Sequence, residues 1–197
     1  RKTPLVLPAI DYNYQSEKTK LGFLDLNFNF LSLTRREGSD TRKIKIEPTL
    51  SYPFKDKRGN RFIMEAKTSL SGYMLSHVSR TDQADYKGYK YRIHPQFLLG
   101  WDLPLQKTQN NYNYFLKPTA ALILAPNRGE ESLIPNEDSV SFEFDELDLF
   151  NTNLYPGTDK FEKSNSRVDY GLDFSIKSKE KELKADFFIG QSVRIRK

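Results

Sequence analysis

The side chains best equipped for chemistry crowd into one stretch of the chain. Glu130, Glu131, Glu137, Asp138, Glu143, Asp145, Glu146 and Asp148 lie close together, interleaved with Phe142, Phe144 and Phe150. Carboxylates at this density could hold calcium, a hard cation that takes oxygen ligands. The ligand order and central glycine of an EF-hand loop are missing, so a solvated acidic loop with aromatic anchors is the plainer reading. Paired carboxylates could also cleave glycosides, but nothing in the spacing fixes the separation that chemistry needs. Ser139 beside Asp138, with His77 or His94 distant, is no triad signature, because any chain of this size contains those residue types. P-loop, GxSxG, HExxH and GxGxxG motifs are all missing. A lipase at a membrane edge would need a Ser/His pair on an outward wall. His94 falls on the polar side of its segment, and Tyr89–Leu103 contains no serine. Cysteine is absent, which removes disulfides, cysteine zinc sites and thiol catalysis from this chain. No catalytic residue, metal or cofactor is expected.

The elements that must position any site are strands. In Leu24-Asp25-Leu26-Asn27-Phe28-Asn29-Phe30 every second residue is apolar, so one face is greasy and the other wet. The same alternation runs through Ile44, Ile46, Leu50 and Tyr52, and through Tyr91, Ile93, Phe97, Leu99, Trp101 and Leu103. It returns at Val168, Tyr170, Leu172, Phe174 and Ile176, and at Leu183, Ala185, Phe187 and Ile189. About eight segments result: 5–14, 22–34, 42–54, 61–75, 89–103, 112–124, 167–177 and 183–195. Several are longer than the usual strand of about 5–6 residues and exceed the ~9–11 that a tilted strand needs to cross a bilayer.

Composition fits this reading. The 197 residues carry 13% aromatics but only 37% hydrophobic residues, which suits a folded, strand-rich chain. Mean hydropathy is −0.69. No apolar run reaches the ~18 residues of a transmembrane helix. Lys+Arg 31 against Asp+Glu 26 gives a net charge of +5, which suits anionic partners. The cations take alternate positions and mix with acids, as on a wet strand face. They do not form the track that nucleic acid requires, so no nucleic acid is expected as a partner.

The connections Glu17–Lys20, Lys55–Asn60, Gln106–Asn111 and Ser178–Glu182 are short and polar, whereas Ser79–Gly88 and above all Pro126–Ser166 are long. Tight turns on one side and long loops on the other are the habit of an outer-membrane barrel, although Arg35–Thr41 is short on the long side. A soluble β-sandwich binding an anionic ligand shares the alternation and stays open as an alternative. So does a small, self-contained outer-membrane barrel. Pro8, Pro48, Pro95 and Pro118 fall inside predicted strands and are expected at bulges or strand starts.

One resemblance is carried by particular residues. Ile134-Pro135-Asn136-Glu137-Asp138-Ser139, Phe142-Glu143-Phe144-Asp145, Leu149-Phe150, Tyr155-Pro156-Gly157 with Asp159, and Arg167 with Tyr170-Gly171-Leu172 resemble the lipopolysaccharide-assembly family LptD, also called OstA or organic solvent tolerance protein. Gly190-Gln191-Ser192-Val193-Arg194 is similar to that family's Gly-Gln-Ser-aromatic-Arg strand, and Leu33-Thr34-Arg35 with Gly38, Asp40 and Arg42 is a looser match. The sequence departs from the pattern at Asp148, Leu154-Tyr155, Thr158, Lys160 and Val193.

The resemblance implies an all-β fold: an antiparallel transmembrane β-barrel segment of about eight strands from a larger barrel of about 26. Residues 1–197 are then part of one outer-membrane β-barrel domain with a long loop at about 126–166. It implies a translocon that inserts lipopolysaccharide into the outer leaflet of the outer membrane of a Gram-negative bacterium, and no enzyme. Implied partners are an LptE-like plug lipoprotein, lipopolysaccharide, and a periplasmic LptA-like bridge reached through an N-terminal domain outside this stretch. The family-like loop residues Pro135, Asn136, Glu137, Asp138, Ser139, Phe142, Phe144, Asp145, Phe150, Pro156, Gly157 and Asp159 are expected to pack the loop over the barrel mouth or to touch plug or substrate. The wet-face residues Lys43, Lys45, Arg61, Lys67, Arg92, Lys117, Arg167, Lys184 and Arg194 are expected to line the lumen.

Overall fold

The computed structural model describes residues 5–35, 39–80, 83–126, 134, 149–152, 166–180 and 182–195, apart from the side chains of 79, 80, 83 and 84. Among these residues nine strands form: β1 Leu5–Gln15, β2 Phe23–Thr34, β3 Asp40–Lys55, β4 Arg61–Arg80, β5 Gln83–Asp102, β6 Leu105–Gln109, β7 Tyr112–Leu124, β8 Arg167–Ser178 and β9 Lys184–Arg194. Every pairing is antiparallel, in the order β1-β2-β3-β4-β5-β7-β8-β9, with β6 paired to β7 beside the end of β5. The sheet is open, which is consistent with part of a barrel. Among the described residues β1 pairs only with β2 and β9 only with β8, at odds with a small barrel closed by its own first and last strands.

Two sequence expectations are corrected. Gln106–Asn111 is not merely a connection: β6 occupies 105–109 and turns into β7 through Asn110 and Asn111, at φ 47° and 62°. Two successive positive φ values are the signature of a type I′ hairpin, which asparagine tolerates. Nor is Ser79–Gly88 a long connection. β4 runs to Arg80 and β5 starts at Gln83, so these two 20-residue strands are joined tightly. A bulge between Leu75 and Val78 breaks the alternation there, which is why the pattern ends early in the sequence.

The prolines are accommodated in two ways. A register shift between Val6 and Ala9 brackets Pro8, as expected. The other three sit without a bulge. Pro48 falls where the β3–β4 ladder lapses between Ile46 and Thr49, and Pro95 precedes the part of β5 that pairs with β7. Pro118 lies between the parts of β7 paired to β6 and to β5. Each position spares a ladder bond that proline could not donate.

The burial pattern is inverted relative to a protein packed around an apolar core. On β3, Thr41, Lys43, Lys45 and Glu47 are buried, while Ile44 and Ile46 between them are exposed. On β5, His94 and Gln96 are buried while Ile93, Phe97 and Leu99 are exposed. The buried apolar cluster is small. It comprises Tyr73, Leu75 and Val78, with Tyr86 and Ile134 against it.

The exposed apolar face has defined height. From Tyr91 to Trp101 on β5 is about 33 Å at about 3.3 Å per residue, or about 23 Å high at a tilt of about 45°. Aromatic residues gather at the end where β1, β3 and β5 finish: Tyr12, Tyr14, Tyr52, Phe54, Trp101, and Tyr112 at the start of β7. Phe54 stacks on Phe62 with ring centroids 5.0 Å apart. At the other end Tyr89 and Tyr91 stand 80% and 79% exposed. The turn at Asp56–Asn60 is built by one carboxylate: Asp56 Oδ1 accepts from the N–H of Arg58 and of Asn60, both at 2.9 Å, while Gly59 supplies φ +91°.

Candidate functional site

Cross-strand register, with a side-chain period of two, decides which residues share a face. It brings all nine cations singled out in the sequence to the polar face. Lys43 pairs with Tyr73, and Lys45 pairs with Ser71, which in turn pairs with Arg92. Lys67 opposes Gln96, Arg61 opposes Asp102 and Lys117 opposes Asp173. Arg167 opposes Arg194, and Lys177 opposes Lys184.

Most of these cations have counter-charges within reach. Glu47 bridges two ammonium groups, Lys45 Nζ at 2.7 Å and Lys67 Nζ at 3.0 Å. Arg61 meets Asp102 at 2.6 Å, Lys117 meets Asp173 at 2.9 Å and Lys184 meets Asp186 at 2.7 Å. Tyr73 serves two cations: its hydroxyl accepts from Arg92 Nη2 at 2.9 Å, and its ring lies 6.0 Å from Lys43 Nζ.

The densest network is on β8. The Arg167–Asp169 pair is 1% and 0% exposed, with Nε 3.0 Å from Oδ2. Ser192 of β9 donates its hydroxyl to Asp169 Oδ1 at 2.6 Å, and the Phe150 N–H donates to Oδ2 at 3.1 Å. Arg167 Nη2 donates to the Asn151 carbonyl, and Gln96 Nε2 donates to the Thr152 carbonyl at 2.7 Å. Leu149–Thr152 is thus strapped across β5, β8 and β9. Phe150 holds the left-handed φ of 71°, which a non-glycine residue adopts only when its surroundings impose it. Gly190 makes room for the strap: a Cβ there would lie 2.7 Å from Leu149 Cδ1.

Below the strap, toward the short-turn end, is a groove of about 630 Å³. Phe115, Phe150 and Phe188 give it an apolar floor, and the pairs Lys117–Asp173 and Lys184–Asp186 a charged rim.

Of the loop residues singled out in the sequence, Phe150 is the one the structure describes. Pro135, Asn136, Glu137, Asp138, Ser139, Phe142, Phe144, Asp145, Pro156, Gly157 and Asp159 lie outside the described residues, as does the acidic cluster. Sequence reasoning missed the strap and the parts played by Ser192 and Gln96, which only tertiary contact reveals. It also missed that Ser69, on the neighbouring strand, stands opposite His94. Both are 1% exposed and on the polar face, closed to a substrate.

The sequence model of the family described as LPS transport system D, LptD, matches residues 1–197. The chain belongs to the LptD family. It is 28% identical over 174 residues to the LPS-assembly protein LptD of Vibrio cholerae serotype O1 (strain ATCC 39315 / El Tor Inaba N16961), covering 84% of this chain. The match takes in 22% of that relative's length, so the chain spans under a quarter of it. The two stretches whose residues carry the resemblance noted in the sequence, far apart along the chain, meet at the strap: Leu149, Phe150 and Arg167 from one, Gly190 and Ser192 from the other.

Proposed function

We propose that the chain is a section of the wall of an outer-membrane translocon that inserts lipopolysaccharide into the outer leaflet. The observation that carries the reading is the inverted exposure of the strands. An apolar face about 23 Å high with aromatic borders suits the ~25 Å lipid-facing band of an outer-membrane barrel. A polar face rich in paired charge suits a water-filled interior. Water is the natural neighbour of the exposed Arg61, Lys184 and Arg194 and the half-buried Lys67, Arg92 and Lys117 as lumen-lining residues, and their ammonium and guanidinium groups also suit passing phosphates, while Lys43 and Lys45 belong to the same polar face but are buried in it.

Arg167 has a different part: with Asp169 it fastens the base of the long connection to the inner wall. The family-like loop 126–166 then packs the barrel mouth from that fixed point. On this reading an LptE-like lipoprotein fills the lumen, and an LptA-like bridge delivers lipopolysaccharide through a domain outside this stretch. The short-turn end faces the periplasm and the long-loop end faces outside, as outer-membrane barrels are built.

The test is depletion of the full-length protein in its host, followed by measurement of surface-exposed lipopolysaccharide. A fall restored by the wild-type gene supports the reading. Unchanged surface lipopolysaccharide sinks it.

A further inference from the structure

The lipid-facing side of β3 and β4 carries one glycine that the fold does not account for. Gly72 lies at the long-loop border of the apolar band, between Ile44 of β3 and Tyr91 of β5. It does not need glycine's conformational freedom, since among the described residues the glycines at positive φ are Gly22 and Gly59. It does not relieve crowding either, because a Cβ at Gly72 would meet nothing within 4 Å. A glycine inside a strand weakens it and often marks a place where a ligand approaches the backbone closely.

The missing side chain opens a notch of about 380 Å³ on this face, walled by Phe30, Ile44, Met74 and Tyr89. Tyr73 and Lys90 contribute to its floor, but the Lys90 ammonium is held 6.0 Å from the Tyr86 ring. The charged border of the notch is Arg42. It shares the apolar face with Ile44 and is exposed, and it has no ion pair or hydrogen bond among the described residues. From Ile44 to Phe54 that face of β3 carries no further charge.

We infer that Arg42 and the notch over Gly72 bind the phosphorylated, acylated end of one lipopolysaccharide molecule against the outer wall. The inference rests on the proposed function, which turns the long-loop end, and with it Arg42, toward the leaflet where lipopolysaccharide lies. An apolar trough that runs up to a single unpaired guanidinium matches a ligand with a hydrocarbon chain and a phosphate at its head. The chain lies along the bare backbone at Gly72. The phosphate accepts two parallel N–H bonds from Arg42, a pairing that favours arginine over a point charge. An arginine that merely reached for the interface would need no notch beside it.

The test uses the full-length protein, purified in detergent and exposed to purified lipopolysaccharide, with bound lipids counted by native mass spectrometry. Gly72→Leu fills the notch and leaves the charge. Arg42→Gln removes the charge and leaves the notch. Each is expected to lower the affinity of one bound lipopolysaccharide by about tenfold, with lipids held elsewhere unchanged. Equal retention by wild type and both variants overturns the site. Loss in Arg42→Gln alone reduces Arg42 to an interface anchor and also overturns it. Phosphatidylglycerol that displaces the lipopolysaccharide at equal concentration overturns the choice of occupant. Both variants are expected to restore surface lipopolysaccharide in depleted cells. A failure of wild type there strikes the proposed function, whereas the mass-spectrometric comparison strikes only this site.

Discussion

Two ion pairs of the same spacing stand at opposite ends of the polar face. Arg167 and Asp169 are two residues apart on β8, and Lys184 and Asp186 are two residues apart on the neighbouring β9. Both are short, at 3.0 and 2.7 Å. Yet the side chains of the first are 1% and 0% exposed, and those of the second 61% and 57%. The difference is cover. Leu149–Thr152 crosses over the first pair and supplies the Phe150 N–H and the Asn151 carbonyl, while the second faces solvent at the other end of the sheet. A buried pair is tolerable only when its remaining donors and acceptors are satisfied, and the strap and Ser192 do that here. The pair and the strap therefore stabilise each other, whereas Lys184 and Asp186 could be lost with little consequence.

Removing the Asp169 carboxylate strikes this comparison hardest. Asp169→Ala leaves the Arg167 guanidinium buried without its counter-charge and is expected to cost about 3–5 kcal/mol, read from urea unfolding of the full-length protein in membranes. A cost near that of an exposed pair would break the distinction.

The comparison also assumes that solvent lies on the polar side and lipid on the other. Phe97, midway between Tyr91 and Trp101 on the apolar face, tests that assumption. Phe97→Arg is expected to cost about 2–4 kcal/mol in the same assay, as for a cation at the bilayer midplane. A neutral result would mean that this face meets water.

Lys184→Ala is expected to change stability by about 0–1 kcal/mol, the range of exposed pairs. A double-mutant cycle with Asp186→Ala checks it, with coupling below ~1 kcal/mol expected.

The smallest effect belongs to Asp56, in an exposed turn outside the wall. The Asn60 side-chain amide, at 2.7 Å, and the N–H groups of Asn60 and Arg58 hold its carboxyl below the ordinary aspartate range. A depressed folded-state pKa means that the turn's stabilisation is complete above the unfolded value of about 3.9 and fades as the pH falls through the folded value. Titrating the Arg58 and Asn60 amide resonances should give a midpoint below that value. A midpoint at or above it would remove the carboxylate from its role in the turn.

The sheet was largely legible from sequence because alternation reports a dry face directly. Residues 22–34, 42–54 and 112–124 were placed to within two residues by that means. Where neither face is dry the rule has nothing to read. Ser79-Arg80 and Gln83-Ala84-Asp85 lie past the apolar band and form strand without alternation. β6 was hidden because Lys107 and Gln109 are polar, although Asn110-Asn111 was a turn signal that could have exposed it. The nine cations were legible as a set, since register follows from alternation. Which of them would be covered was not. The cover comes from Leu149–Thr152, whose contacts with Gln96, Asp169 and Gly190 span over 50 positions in one case and about 20 and 40 in the others.

The length of β4 and β5 has a bearing on how the molecule meets its surroundings. From Tyr91 back to Gln83 the ribbon continues for about 26 Å along the strand at about 3.3 Å per residue. At a tilt of about 45° it rises nearly 20 Å past the aromatic border, while the headgroup layer on each side is only about 5–8 Å thick. In the proposed orientation this extension stands clear of the bilayer on the cell exterior, flanked by β3 as far as the Asp40–Ser76 pair and narrowed to β4 and β5 alone beyond it. Its tip, past the last pairing with β3, is a position where an epitope tag would be displayed without disturbing the wall.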